Sequence, residues 1–332
     1  GKMNEGKPKS HLREHKVDAD PNDYGFDDET WDFEKFKRKL KINIVSYKHM
    51  DMEFDVIGVH PAIVNAFRRI MLSEIPTMAI EKVLIYNNTS IIQDEVLAHR
   101  LGLIPIRADA RLFEYKADDT EEGTENDTLE FELKFKYTKK GKDGQKDAQA
   151  ENYVKNTSVY SNSIKWLPKG RQAAMYKDTD IGPIHDDILI ARMRPGHELD
   201  LKLVAVKGIG QDHAKFSPVA TAYYRLLPEI KLNRTVSGCD ARLLKQCFSP
   251  GVIEIDEQQR AYVKNARYDS NSRNIFRYPH LSDCVTMSRV QNHFIFSIES
   301  VGALKPDEIF VEAVKCLKKK CRMFLDEITD DK

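Results

Sequence analysis

Two strings decide the reading: His60-Pro61-Ala62-Ile63-Val64-Asn65-Ala66-Phe67-Arg68-Arg69-Ile70-Met71-Leu72-Ser73-Glu74-Ile75-Pro76 and, shortly after, Gln93-Asp94-Glu95-Val96-Leu97-Ala98-His99-Arg100-Leu101-Gly102-Leu103-Ile104-Pro105-Ile106. In the first, Pro61 suits the first turn of a helix, where its missing N–H is no loss, and Pro76 cannot continue one. Ile63, Ala66, Phe67, Ile70 and Met71 recur at three- and four-residue steps, which predicts one apolar face over 61–75. Arg68 and Arg69 point off that face. In the second, Asp94 and Glu95 fit the start of a short helix, where the dipole favours anions, and Arg100 and Gly102 fit its end. Between them, Met78–Tyr86 is rich in strand formers, and Asn87–Ser90 is turn-forming.

Working outward, Lys41–Tyr47 and Met52–Val59 alternate as a hairpin leading into the first helix. Leu129–Tyr137 alternates over its whole length, Val159–Trp166 reads as another strand, and Ile188–Met193 and Glu198–Val206 are two more, split by Arg194-Pro195-Gly196, a type II turn signal. The region between Pro76 and Lys215 is thus mainly β. Thr221–Leu232 reads as a strand broken by Pro228, Ala241–Phe248 as a short helix, and Cys284–Val290 and His293–Glu299 as strands. Lys305-Pro306-Asp307-Glu308 opens a last helix. Its Phe310, Val314, Leu317, Cys321, Phe324 and Ile328 step by alternating fours and threes, a heptad-like seam. Packing on the chain's own sheet and packing on a partner account equally well for one such face.

The totals exclude several classes. Lys+Arg and Asp+Glu both number 52, so the formal charge is zero, whereas a chain that wraps nucleic acid shows a basic excess. No apolar run reaches the roughly 20 residues of a membrane helix, and the first residues lack a leader's apolar core. The five cysteines, all from Cys239 onward, include no CxxC, so the reading is reduced thiols and no metal site, with Cys316 and Cys321 buried on their helix. Residues 1–38 mix charges with Pro and Gly, a tail that orders only against a partner, with Trp31, Phe33 and Phe36 as anchors. The acidic run 118–123 and the basic run 138–146 read as solvated loops.

One further string, Lys207-Gly208-Ile209-Gly210-Gln211-Asp212-His213-Ala214-Lys215-Phe216-Ser217-Pro218-Val219, offers two readings. Gly208 and Gly210 suggest a phosphate cradle, but the third glycine and the Lys-Ser/Thr of a P-loop are missing. Asp212, His213 and Lys215, with Asp94 and His99, are the residues a stand-alone enzyme would use. A rigid interdomain loop outweighs catalysis, since no nucleophile motif accompanies them.

The two opening strings, the Arg-Pro-Gly turn, the Gly208–Val219 loop and Asn292–Val301 together resemble the alpha-like subunits of multisubunit RNA polymerases. Within that family the chain is most similar to the larger alpha-like subunit type shared by the eukaryotic polymerases I and III. The polymerase II counterpart carries a cysteine zinc site in the insert, which a chain with no cysteine before Cys239 cannot build. The resemblance implies an α+β fold: a discontinuous alpha-type dimerisation domain, a sheet packed with two helices, over 39–75 and 216–332, with a mainly β insert over 76–215. It implies a non-catalytic assembly subunit of the nucleus and nucleolus, without cofactor and with little direct nucleic-acid contact. Its expected partners are a smaller alpha-like subunit, the second-largest catalytic subunit and other small core subunits. Ile63, Phe67, Ile70, Phe310, Val314, Leu317, Cys321 and Phe324 are expected at the heterodimer interface. Arg68, Arg69, Glu74, Asp94, Glu95, His99 and Arg100 are expected to dock the second-largest subunit. An alpha-like subunit of another polymerase is the alternative, and an enzyme using His213 and Lys215 the remote one.

Overall fold

The computed structural model describes residues 9–18, 32–117, 123–137, 157–177 and 179–330. Of the acidic run 118–123 expected as a solvated loop, residues 118–122 lie outside the described residues, as do the basic run 138–146 and the anchor Trp31. The chain divides into two compact units. One comprises Gly1–Lys48, Met52–Arg68 and Tyr223–Ser297; the other comprises His49–Asp51, Arg69–Ala222 and Ile298–Lys332.

In chain order the elements are β1 (Lys9–Leu12), β2 (Val17–Asp18), α1 (Phe33–Lys39), β3 (Lys41–Lys48), β4 (Asp51–Ile57), α2 (Pro61–Ser73), β5 (Thr77–Asn88), α3 (Asp94–Gly102), β6 (Ile106–Arg107) and β7 (Thr128–Lys136). Then come β8 (Thr157–Tyr160), β9 (Ile164–Leu167), α4 (Gln172–Met175), β10 (Gly182–Pro183), β11 (Leu189–Met193), β12 (Glu198–Gly208) and β13 (Val219–Leu232). Last are α5 (Gly238–Cys247), β14 (Ile253–Ile255), β15 (Ala261–Val263), α6 (Pro279–Ser282), β16 (Val285–Ser300) and α7 (Pro306–Asp330).

The first unit is built on a sheet in the order β2-β1-β16-β4-β3, with β13 also paired to β16. Its core is aromatic: Phe54 and Phe296 stack at 5.2 Å between centroids, and Tyr224 meets Phe294 edge-on at 5.6 Å. Beside this core, the Arg267 guanidinium donates to Asp55 Oδ1 at 2.7 Å and to Glu53 Oε1 at 2.7 and 2.9 Å. His293 Nε2 stands 3.0 Å from the other Asp55 oxygen. A buried carboxylate needs such partners, because removing it from water unpaired costs several kcal/mol by order of magnitude.

The second unit holds an antiparallel sheet in the order β5-β12-β7-β9. Leu203 of β12 stands opposite Val83 on one side and Phe131 on the other. Period-two alternation sends Leu129, Phe131, Leu133, Leu199, Leu201, Leu203 and Ala205 into the core, where Leu97 and Leu101 of α3 join them. The opposite face carries charge, with Glu130 2.8 Å from Lys202 and 3.5 Å from Lys169.

Both opening helices form where the sequence places them, α2 starting at Pro61 and α3 ending at Gly102. Gly196, at φ +90°, completes the expected Arg-Pro-Gly turn, closed by His197 N–H donating to Arg194 O at 3.0 Å. Several expectations change. Val159–Trp166 is two strands in different sheets, parted by a turn at Ser161, whose buried hydroxyl donates to His185 O and accepts from Ile188 N–H. Pro228 does not break β13. Among the described residues that strand pairs only with β16, so a missing N–H is tolerated. The two strands expected over 284–299 are one, β16. The N-terminal segment does not wait wholly for a partner: β1 pairs with β16, Lys9 opposite Val290, and Leu12 is buried. Gly102 is no left-handed stop; a Cβ there would lie 3.3 Å from Ile80 O, so it serves close helix–strand packing.

Phe296→Ala removes half of the stacked pair at the centre of the first sheet. It is expected to cost about 3–5 kcal/mol, read as a lower urea midpoint in equilibrium denaturation of the whole chain.

Candidate functional site

Three elements carry the sequence-predicted residues: α2, the α3–loop region, and α7. On α2 the fully buried stripe is Val64, Ile70 and Met71, continued by Ile75. Ile63, Ala66 and Phe67 are half-buried. Ile70, expected at an interface, is therefore spent on the chain's own interior, although it shares the helix face of the half-buried Ile63 and Phe67. The Arg68 guanidinium donates to Asn65 Oδ1 at 2.9 and 3.1 Å, while Arg69 is exposed.

The α3–loop region gathers residues far apart in sequence. Lys215 Nζ lies 2.5 Å from Glu81 Oε2 and donates to Ile80 O at 2.9 Å. The rings of His99 and His213 meet edge-on at 6.3 Å. Together with Val83, Ala98, Gly102 and Leu103 these side chains line one small cleft. His213 Nδ1 accepts from Lys215 N–H at 3.1 Å, so a neutral His213 carries its proton on Nε2. The lining holds no hydroxyl or thiol, and Lys215 is committed to an ion pair. Asp94 does not join this group. Its carboxylate accepts from Asn88 Nδ2 at 2.6 Å, where it fastens the turn after β5. The Arg100 guanidinium donates to Leu189 O at 2.7 Å, fastening α3 to β11, while Glu95 is exposed.

The glycines of the 208–219 string serve packing, not phosphate. A Cβ on Gly210 would stand 2.2 Å from Leu72 O, and one on Gly208 would enter the Phe216 ring at 2.6 Å. Gln211 N–H donates to Ser73 O at 2.8 Å, and Thr77 Oγ1 donates to Phe216 O at 2.6 Å. The segment expected as an interdomain loop is packed within the second unit, against the end of α2 and the start of β5.

On α7, Ile309 and Ala313 are fully buried, with Leu304 and Pro306 just before them. The heptad-like seam lies elsewhere. Phe310 and Leu317 are half-buried, Val314 and Cys321 are exposed, and Phe324 and Ile328 are 65% and 62% exposed. Cys321 was expected to be buried; it lies beyond the point where the chain covers the helix. Cys316 is half-buried, and its thiol stands 3.3 Å from Glu74 Oε2. Burial, and then the adjoining carboxylate, push that thiol above its ordinary value. Glu74 also takes Lys320 at 2.5 Å. Glu74 is thus engaged within the chain.

Sequence reasoning missed Arg111. It grips Asp109 at 2.8 Å and reaches Glu308 at 3.4 Å and Glu312 at 3.6 Å, tying the turn after β6 to the first turns of α7. Some two hundred residues separate the partners, and no local pattern announces them.

Residues 53–321 match the RNA polymerase Rpb3/Rpb11 dimerisation domain. The chain belongs to this family. It is 52% identical over 95% of its length to the mouse (Mus musculus) DNA-directed RNA polymerases I and III subunit RPAC1, of which it covers 91%. It is 45% identical over 87% of its length to the Saccharomyces cerevisiae RPAC1, of which it covers 88%. To the Dictyostelium discoideum RNA polymerase II subunit rpb3 it is 29% identical over 85% of its length, covering 93% of that protein. Similarity thus runs higher to the I-and-III subunits than to the polymerase II subunit, in line with the sequence expectation.

In this member of the Rpb3/Rpb11 family, Asp109 is one of the carboxylates whose folded surroundings favour the charged form. Burial alone would raise its carboxyl, but hydrogen bonds from the Arg111 side chain and backbone outweigh burial and hold it below the ordinary carboxylate value. A depressed folded value means the stabilisation is present above the unfolded value of about 3.9 and is lost as pH falls through the folded one. Arg111→Gln is expected to flatten the acid limb of stability, measured as urea midpoints between about pH 6 and pH 3. Gly210→Ala, which drives a methyl into Leu72 O, is expected to cost about 1–3 kcal/mol in the same assay.

Proposed function

We propose that the chain is a non-catalytic assembly subunit of RNA polymerases I and III, working in the nucleus, including the nucleolus. It heterodimerises with a smaller alpha-like subunit, and the pair forms the platform for the second-largest catalytic subunit and other small core subunits. The dimerisation domain in this reading is 39–75 with 216–332, and the insert is 76–215. Family membership and the names of the relatives support the polymerase; one observation supports the mode of action. The α7 seam faces away from the chain's own core over Val314, Cys321, Phe324 and Ile328.

Burying an apolar side chain of this size is worth roughly 1.5–3 kcal/mol, and association costs on the order of 4–15 kcal/mol. The seam alone covers only the lower part of that cost. Phe310 and Leu317 on α7, and Ile63 and Phe67 on α2, supply the remaining area in this proposal. For docking the second-largest subunit, Arg69, Asp94, Glu95, His99 and Arg100 are the exposed members of the expected set, and of these Arg69 and Glu95 are taken here as the direct contacts together with His99. Arg68, Glu74, Asp94 and Arg100 hold neighbouring structure and act by positioning.

The test is co-expression with the smaller alpha-like subunit. Phe324→Asp with Ile328→Asp is expected to weaken heterodimer formation by about thirty-fold or more, while the circular dichroism of the chain stays unchanged, because both sites are exposed. Retention of the heterodimer by this variant would sink the assignment. Separately, Arg69→Glu is expected to reduce co-purification of the second-largest subunit while the small partner stays bound; equal recovery of both would remove Arg69 from the docking set.

A further inference from the structure

Three stripes run side by side along α7, because steps of three and four residues return to one face of a helix. Ile309, Ala313 and Cys316 mark the covered stripe, and Lys320 continues it to the clamp on Glu74. The seam comes next, with Val314, Leu317, Cys321, Phe324 and Ile328. On its other side lies an outer stripe: Val311, Lys315, Lys318, Arg322 and Leu325, all exposed. Val311 and Leu325, at 50% and 60%, extend the apolar surface at the two ends of this stripe, and three cations hold its middle.

The helix itself does not account for these cations. Lys315 is matched by Glu312 at 2.8 Å. Lys318 has no acidic residue three or four positions away; Val314, Lys315, Cys321 and Arg322 stand at those steps. Lys318 and Arg322 are themselves four apart, and like charges at that spacing destabilise a helix. Asp326 is the one carboxylate a turn from Arg322, so the pair keeps an excess of positive charge. Both stand two turns or more before the helix ends at Asp330, beyond the last turn where the dipole rewards cations. A second copy laid antiparallel along the seam would bring outer stripe onto outer stripe, cation onto cation. Carboxylates in the same place turn repulsion into attraction, as flanking charges do in choosing the partners of paired helices. We propose that α7 is covered by a helix of a different polypeptide with an acidic edge facing Lys318 and Arg322, and apolar residues to either side facing Val311 and Leu325. This rests on the seam being the heterodimer face, and it adds the chemistry by which that face tells the smaller alpha-like subunit from a second copy of this chain.

The test uses the purified heterodimer of the full chain with the smaller alpha-like subunit, one dye on each, and reads dissociation on dilution as loss of energy transfer. Lys318→Glu with Arg322→Glu is expected to weaken the pair about ten-fold at about 0.05 M salt. The gap is expected to close to within about two-fold at about 0.5 M, where exposed charges are screened. A packing or folding defect persists at high salt, so the closing gap separates charge from damage. Lys318→Arg, which keeps the charge, is expected to leave the affinity unchanged. The proposal is overturned if the reversed and native chains bind equally at low salt, if salt leaves the gap open, or if the native chain pairs with itself through α7. Retention of the heterodimer by Phe324→Asp with Ile328→Asp removes the seam assignment, and this proposal with it. Loss of the heterodimer in that variant, with no effect of the charge reversal, removes the acidic edge alone.

Discussion

A helix of 25 residues spans about 37 Å, and this chain buries only the beginning of its last one. Ile309 and Ala313 are sealed against the interior, and Arg111 fastens the same turns through Glu308 and Glu312. A second clamp joins Lys320 to Glu74, near the end of α2. Past Lys320 every described residue of the helix is exposed, among them Met323, Phe324, Leu325 and Ile328. Ion pairs this open to solvent add little free energy. What they supply is direction: they set where the uncovered turns point. The exposed seam is the product of that imbalance between a long apolar helix and a short cover.

The insert side of the molecule works differently. Its sheet is sealed on one face by alternating leucines and ruled by charge pairs on the other, so little of it waits for a partner. The 208–219 string is the clearest case. Two glycines, an aspartate, a histidine and a lysine offer the ingredients of a phosphate loop or an acid–base set. Each glycine is instead a place where a Cβ has no room, and the lysine is a strut between a carboxylate and a backbone carbonyl. Chemistry-bearing residue types became packing residues because the chain needed close approach there. The Arg68–Asn65, Arg100–Leu189 and Glu74–Lys320 contacts repeat the lesson for charge: much of what looked like docking capacity is internal joinery.

The legible part of the fold was local. Helices α2, α3 and α7 carry their own start and stop signals, and β3, β4, β7, β11 and β12 carry period-two alternation, so both classes were readable from neighbouring residues. What failed was decided at long range. Pro228 looked like a break because its tolerance depends on β13 pairing along one side. Ser161 splits an apparently continuous strand because its hydroxyl binds groups near residue 186. Ile70 shares a face with Ile63 and Phe67, but only tertiary packing says how far along α2 that face is covered, and at Ile70 it is. The seam of α7 was the reverse case. The pattern was plain, but whether the chain's own sheet covered it was not, and exposure answers that. Arg111 lay beyond reach altogether, its role resting on contacts that span most of the chain.

One long apolar surface follows from this architecture. The α7 seam offers side chains and no free backbone, so shape and burial are what recognise it. Its exposed end keeps an unbroken apolar run through Met323, Phe324 and Leu325. It also bears on stability. A partner that binds only the folded chain adds RT ln(1 + [L]/Kd) to its unfolding free energy. A partner that covered the α7 seam would therefore raise the stability of the folded chain by the free energy of its binding.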